Sequence, residues 1–435
     1  MEIRRLSLRR SFWICLGLAA FAAFVSGVRA DDRAGTGTGK STVVWISMDG
    51  MRGDYLNRAP LPFFARLMTE GAYSRKFHPV FPPITFPSHC AEATGVTVDH
   101  HGITGNSFYD AATHQTYRYP ADASLLQAEP IWLTATRQGV RTMVYDWPLS
   151  QAEHGPVHAA FSDEKFDATA TDVQRINHLL DAWHADQAGP PRLLMGYVED
   201  ADVAGHKYGP DAPETTAAVQ AVDHTLGVFF ERALAQWKTT AGPSDRFYLL
   251  LSTDHGMSKV DHAVNLEKLL GLPHGQRQIT LSTVGNMGNV FVDQPATGPG
   301  KEERLAGFVE KLRAYPFLHV YRRADLPAAW AYAHPTRTGD LVVVLPRGYT
   351  FSSQATQPVM DIAQAGGGPL GMHGYPPEDD PEMYGAMLAW RYPQPFGGKD
   401  LGEVKWDQYH PTVAKWLGVK PADGATGVLL SLPGE

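Results

Sequence analysis

The sequence predicts an α/β fold: a mainly parallel sheet between helical layers, with a small α+β insertion late in the chain. Three observations lead there. Apolar runs without clear alternation recur at residues 41–50, 140–148, 192–200 and 246–256, as expected of strands buried on both faces. A long stretch with helical apolar spacing, APETTAAVQAVDHTLGVFFERALAQW, separates the last two runs, and strands alternating with helices favour a parallel sheet. Acids, histidines and a threonine follow the apolar runs or sit in glycine turns, and ligands in open α/β sheets collect at the carboxyl ends of strands. With 435 residues, 43% of them apolar, the chain has enough material for a large core.

Residues 1–30 read as an export signal rather than as fold. MEIRRLSLRR is basic, SFWICLGLAAFAAFV is apolar, and SGVRA precedes an acidic pair, so cleavage is expected after Ala30. The alternative is an uncleaved anchor, for which the apolar run is short. No stable membrane insertion is expected after cleavage, and the destination is periplasmic or secreted. The Arg9-Arg10-Ser11-Phe12-Trp13 run is similar to a twin-arginine signal, so the twin-arginine and general secretory routes both stay open. Residues 1–30 hold five Arg and one Glu, so their removal takes the formal charge from −8 to −12. So acidic a chain is not expected to bind nucleic acid polymers, whose affinity comes from phosphate neutralisation. Cys15 lies in the signal and Cys90 is then alone, which excludes an intrachain disulfide in the mature protein.

Residues 31–41 form a Gly/Thr linker, and 42–435 are expected to fold as one catalytic domain. The run at 41–50 is a buried strand ending in Asp49-Gly50. PLPFFARLMTEGA is the following helix. After Met257 the pattern changes to strand, helix, strand, strand at GNVFVD, KEERLAGFVEKLRAYP, HVYRRADLP and GDLVVVLPRGYTF, read as an α+β insertion over about 280–355. A Gly/Pro-rich stretch follows, and YHPTVAKWLG is a terminal helix. The glycine cluster near Gly366 has no strand-to-helix frame, so it is a loop and not a phosphate-binding fingerprint.

Chemistry gathers in five places. Asp49 ends the first strand; alone it reads as an Asp-Gly turn whose carboxylate caps backbone N–H groups. In FPPITFPSHCAEATG, prolines flank Thr85, and SHCAEATG reads as a short helix. Thr85 then sits at a positive helix end suited to a nucleophile that attacks phosphate; the competing reading is an N-cap. Asp202 and His206 are four apart, so one helical segment can aim both inward. Asp254 and His255 follow the most apolar strand, where burial is costly unless they are paired or metal-bound. His373 lies between glycines in GMHGY. Six acids and histidines with a hydroxyl suit two catalytic ions.

These motifs, with VVWISMDGMRGDYL, DHHGITGNSFYD and EPIWLTATRQGVRTMVYDWP, resemble in order the nucleotide pyrophosphatase/phosphodiesterase family of the alkaline phosphatase superfamily, over essentially all of residues 42–420. The resemblance implies an alkaline-phosphatase-like core and two Zn²⁺, other divalent ions being possible. It implies that Asp49, Asp254 and His255 hold one ion, together with the Thr85 hydroxyl. Asp202, His206 and His373 would hold the other. Asn106 would bond a phosphate oxygen, helped by the backbone N–H of Phe86, while Phe86 and Tyr197 would flank a nucleotide base. The substrate would be a small phosphodiester or pyrophosphate of nucleotide type, cleaved through a phosphothreonine. Two segments depart from the family pattern: Trp147-Pro148-Leu149-Ser150, and Tyr197 to Asp202, which lacks a proline. The motifs contain no cation against a second phosphate charge, so diesters are expected over monoesters. A phospholipid head-group phosphodiesterase, a phosphomonoesterase and an inactive binding homologue are the alternatives. Cys90 lies outside a Cys-x-Pro-x-Arg frame, which argues against a sulfatase.

Overall fold

The computed structural model describes residues 39–435 except 152, 154, 164, 274–277 and 294–298. The expected signal, and all but the end of the expected linker, lie outside the described residues. Eight strands form the central sheet: seven run in the order Lys399–Asp400, Ala72–His78, Gly385–Tyr392, Arg246–Ser252, Ser41–Met48, Leu193–Val198 and Thr142–Val144, and Glu403–Lys405 also pairs with Ala72–His78. Ser41–Met48 lies at the centre and pairs in parallel with Leu193–Val198 on one side and Arg246–Ser252 on the other. Thr142–Val144 continues the parallel set. Gly385–Tyr392 runs antiparallel to both of its neighbours.

The central strand shows why apolar runs were needed. Val44 and Ile46 face one core with Phe64, Leu226 and Phe230, from the helices Pro62–Glu70 and Pro213–Lys238. Val43 and Trp45 face the other, with Trp132, Val413 and Ala414 from Ile131–Arg137 and Tyr409–Leu417. Successive side chains enter opposite layers, so both parities must be apolar. The sheet is therefore mainly parallel and helix-covered, as the sequence predicts. Four strands of this sheet escape the sequence reading: the short Lys399–Asp400 and Glu403–Lys405, and two longer ones. Ala72–His78 is AYSRKFH, with a mixed burial pattern on a strand near the sheet edge. Gly385–Tyr392 is GAMLAWRY, apolar but embedded in Gly/Pro-rich chain that reads as loop.

Within the 280–355 stretch, Ile279–Val284, Met287–Val292, Leu341–Val344 and His319–Arg322 make a separate antiparallel sheet. The helix Lys301–Leu312 covers it through Leu305, Phe308 and Leu312. Gly348–Phe351 leaves that sheet and pairs with Ser258–Val264. Among the described residues, no helix is long and apolar enough to cross a membrane.

The helix Asp172–Ala185 anchors one side of the crevice above the strand ends. A reciprocal Thr171–Gln174 capping box starts it, satisfying two end N–H groups. Arg175, in its first turn, is buried. It donates to Asp146 Oδ2, Glu199 Oε1 and the Asp167 carbonyl, each at 2.8 Å, and lies 4.2 Å from the centre of the Phe166 ring. Removing one member of a buried ion pair leaves the other charge uncompensated. Arg175→Met is therefore expected to destabilise the protein by about 3–5 kcal/mol, read as a lower chemical-denaturation midpoint at neutral pH.

Candidate active site

Three adjacent strands end at one place. Asp49 follows Ser41–Met48, Asp254 lies two residues beyond Arg246–Ser252, and Asp202 sits in the helix Asp200–Tyr208 that follows Leu193–Val198. The same helix carries His206, so the four-residue spacing acts as the sequence reading requires. Asp49, Asp254 and His255 bring ligand atoms within 4.8 Å of one another, and so do Asp202, His206 and His373. All six predicted acids and histidines are thus gathered, in the two predicted threes.

The hydrogen bonds show what these groups lack. Asp49 Oδ1, Asp202 Oδ1 and Asp254 Oδ2 are buried and have no hydrogen-bond partner. Each aspartate leaves one oxygen uncommitted. The other Asp49 oxygen accepts from the Tyr197 hydroxyl, and Asp254 Oδ1 accepts from the N–H groups of Gly50 and His255 at 3.2 and 3.0 Å. The Asp-Gly turn reading of Asp49 is therefore incomplete: a side chain 148 residues away, not a local N–H, satisfies it.

The histidines are set to match. His206 Nδ1 lies 2.7 Å from the Gly371 carbonyl, His255 Nδ1 2.9 Å from that of Gly256, and His373 Nδ1 3.0 Å from that of Pro83. A carbonyl only accepts, so each Nδ1 carries hydrogen. In the neutral ring each Nε2 then offers a lone pair, the arrangement typical of a metal-bound histidine. His255 Nε2 lies 3.0 Å from Asp254 Oδ2 and 3.3 Å from Asp49 Oδ1. His206 Nε2 is 3.4 Å from Asp202 Oδ2. Three orphaned carboxylate oxygens and three oriented ring nitrogens form a donor set that fits divalent ions.

Electrostatics agree. Burial, followed by the charges of Asp254 and Asp202, pushes Asp49 well above the usual carboxylate range. Burial also raises Asp202, against the pull of His206 and His255. Burial would raise Asp254 too, but neighbouring His255 outweighs it and holds that carboxyl low. His373 is pushed well below its ordinary value by burial and by His255 and His206. Three carboxylates this close do not ionise together without added positive charge.

Thr85 opens the helix Thr85–Thr94, but the capping position belongs to Ile84, which gives no side-chain cap. The N-cap reading of Thr85 is therefore displaced by one residue. Its hydroxyl lies 3.5 Å from His255 Nε2. Asn106 Oδ1 accepts the Phe86 N–H at 2.8 Å. That bond turns the other end of the Asn106 amide away from Phe86. It also engages the Phe86 N–H, which the sequence reading offers to the substrate.

Thr85, Phe86, Asn106 and Tyr197 line a cavity of about 590 Å³ together with Asp49, Asp202, His206 and His373. Asp254 and His255 lie just behind, fully buried. The cavity also takes Tyr119, Asp146, Gln151, Lys165, Phe166 and Glu199, of which Asp146 and Glu199 fall within motif segments without a role of their own there. Tyr119 lies one step beyond a two-stranded ribbon, and its N–H bonds the Asn106 carbonyl. Lys165 is the Lys/Arg cation among the described lining residues, and it is exposed.

A hydroxyl at a helix start, facing two acid/histidine clusters at the ends of parallel strands, defines a phosphoester hydrolase on an alkaline-phosphatase-like fold. The family model for type I phosphodiesterase / nucleotide pyrophosphatase matches residues 43–376. The chain belongs to that family, within the alkaline phosphatase superfamily, and is a hydrolase of the phosphodiesterase/nucleotide pyrophosphatase type. A Schizosaccharomyces pombe protein described as an uncharacterized pyrophosphatase/phosphodiesterase is 29% identical over 353 residues, 78% of this chain and 69% of that protein. A Xenopus laevis bis(5'-adenosyl)-triphosphatase is 28% identical over 354 residues, covering 80% and 71%. Murine ectonucleotide pyrophosphatase/phosphodiesterase 5, solved as an inactive variant in complex with AMP, superposes with a TM-score of 0.74 at 21% identity, over 88% of this chain and 96% of that one.

A ligand that binds the folded state stabilises it by mass action. Zinc at about a hundred times its Kd should raise the stability of chelator-treated protein by ~2.7 kcal/mol, read as a rise in thermal midpoint. Asp202→Asn and Asp254→Asn should each reduce that rise, whether or not the variant turns over substrate.

Proposed function

We propose that residues 42–435 are one catalytic domain, exported under the signal of residues 1–30, that hydrolyses phosphodiester or pyrophosphate bonds of small nucleotide-type substrates with two zinc ions and Thr85 as nucleophile. Asp49, Asp254, His255 and the Thr85 hydroxyl would hold one ion, and Asp202, His206 and His373 the other. Bound ions of this kind lower the pKa of a hydroxyl and neutralise charge on attacking and departing oxygens.

The chain's own residues do the rest. The start of the helix Thr85–Thr94 aims the hydroxyl and adds its positive dipole end at a site for an anion. The Thr85 oxygen bonds to phosphorus, its proton passes to water in the cavity, and the bond from phosphorus to the leaving oxygen breaks. The leaving oxygen takes a proton from solvent. Water then attacks the phosphothreonine and returns Thr85. Asn106 donates its amide N–H to a non-bridging oxygen, where charge is stabilised without reorganisation. Phe86 and Tyr197 offer aromatic faces to a base. Asn106 and the helix end are neutral, which favours a singly charged diester over a monoester, and Lys165 is exposed to solvent.

One observation carries this reading: the Thr85 hydroxyl lies 3.5 Å from His255 Nε2, beside three buried carboxylate oxygens without partners. The test is turnover of bis(p-nitrophenyl) phosphate against p-nitrophenyl phosphate by zinc-loaded protein. The diester should be preferred, and Thr85→Ala should lower its turnover at least ~10³-fold while retaining zinc. A monoester preference would overturn the substrate assignment. Undiminished turnover by Thr85→Ala would remove Thr85 as nucleophile.

A further inference from the structure

We propose that Tyr119 contacts the substrate directly: its phenol is a second neutral donor to the phosphoryl oxygens, beside the Asn106 amide. Ser107–Asp110 and Gln115–Arg118 form a two-stranded antiparallel ribbon in which Ser107 faces Arg118. The Tyr119 N–H donates to the Asn106 carbonyl at 2.7 Å, which carries the pairing one step further. Asn106 and Tyr119 are therefore opposite each other where the ribbon meets the cavity, and both line it.

The backbone at Tyr119 is held in an unusual conformation. Its φ is +43°, in the left-handed region that an aromatic residue rarely adopts, so the backbone there is strained. The next residue is Pro120, which restricts the residue before it further. The ring is 69% exposed, so burial does not compensate. It meets Phe86 edge-on, with centroids 5.8 Å apart. Asn106, Asp49 and Asp202 share the cavity lining with Tyr119.

The Asn106 bond to Phe86 decides which group donates. Asn106 Oδ1 is taken by the Phe86 N–H, so the NH₂ end is the part of the amide left for the phenol. A phenol oxygen that meets that NH₂ would accept from it and keep its own hydrogen to donate. With the Phe86 N–H engaged, Asn106 would otherwise be the one neutral side-chain donor assigned to the phosphoryl group. A phenol adds a second without adding charge, which suits a diester.

This inference rests on the proposed phosphodiesterase reading, and the test separates the two. Zinc-loaded wild type, Tyr119→Phe and Tyr119→Leu are compared in turnover of bis(p-nitrophenyl) phosphate. The same Tyr119 changes are placed in Thr85→Ala, and binding of AMP and of adenosine is measured. Loss of the phenolic oxygen should lower kcat/KM for the diester by about 10- to 100-fold, with most of the loss in kcat. In the Thr85→Ala background, Tyr119→Phe should weaken AMP while leaving adenosine unchanged. Tyr119→Leu should weaken both. Wild-type kinetics in Tyr119→Phe would overturn the proposal, as would equal weakening of AMP and adenosine, which would assign Tyr119 to packing the base. Failure of AMP to bind the Thr85→Ala parent would sink the nucleotide assignment, yet diester kinetics would still report on the phenol.

Discussion

Three aspartates placed side by side, Asp49 and Asp254 buried and Asp202 partly so, govern this molecule. Asp49, Asp202 and Asp254 converge from the ends of three adjacent strands, and each leaves one oxygen without a partner. An isolated ionised carboxylate in a protein interior is expensive, and like charges nearby raise the cost. A fold that keeps three of them must supply positive charge from outside or hold protons it cannot use. The opposed shifts of Asp49 and Asp254 express that frustration: one is driven up by burial and its acidic neighbours, the other held down by the histidines beside it.

The surrounding structure is built around that constraint. The carbonyls that orient His206, His255 and His373 come from Gly371, Gly256 and Pro83, three segments far apart in the chain. The Pro83 carbonyl does double service, because Pro83 also lies just ahead of the helix that presents Thr85. His89 extends the same web. Its Nδ1 lies 2.8 Å from the Thr85 carbonyl and 3.6 Å from Asp254 Oδ2, and its Nε2 lies 2.9 Å from the Ser47 hydroxyl. The nucleophile's turn, a candidate metal ligand and the central strand are thus joined through one buried ring. Such fully committed surroundings restrict motion where small displacements cost most.

The opposite wall of the cavity uses different physics. Arg175 is buried between Asp146 and Glu199 and under Phe166, so an ion pair and a ring contact shape this side of the cavity. Asp146 and Leu149 both have φ of +61°, an irregular path through the segment where the chain departs from the family pattern.

The sequence by itself determined the parallel centre of the sheet and marked Asp49, Asp202, His206, Asp254, His255 and His373 as candidates, which the family resemblance divided into two threes. Strands buried on both faces leave continuous apolar runs, and the ends of those runs are where polar residues cannot be ordinary. The i, i+4 spacing of Asp202 and His206 needs only a helix to become a pair of ligands. Tertiary structure alone decided the rest. Ala72–His78 and Gly385–Tyr392 are strands because partners hydrogen-bond them, not because of a pattern of their own. Thr85 is freed from capping because Ile84 takes that position. The Phe86 N–H is turned to Asn106, and Tyr119, Lys165 and Phe166 reach the cavity. These depend on contacts between residues tens to hundreds of positions apart, and local periodicity carries no trace of such distances.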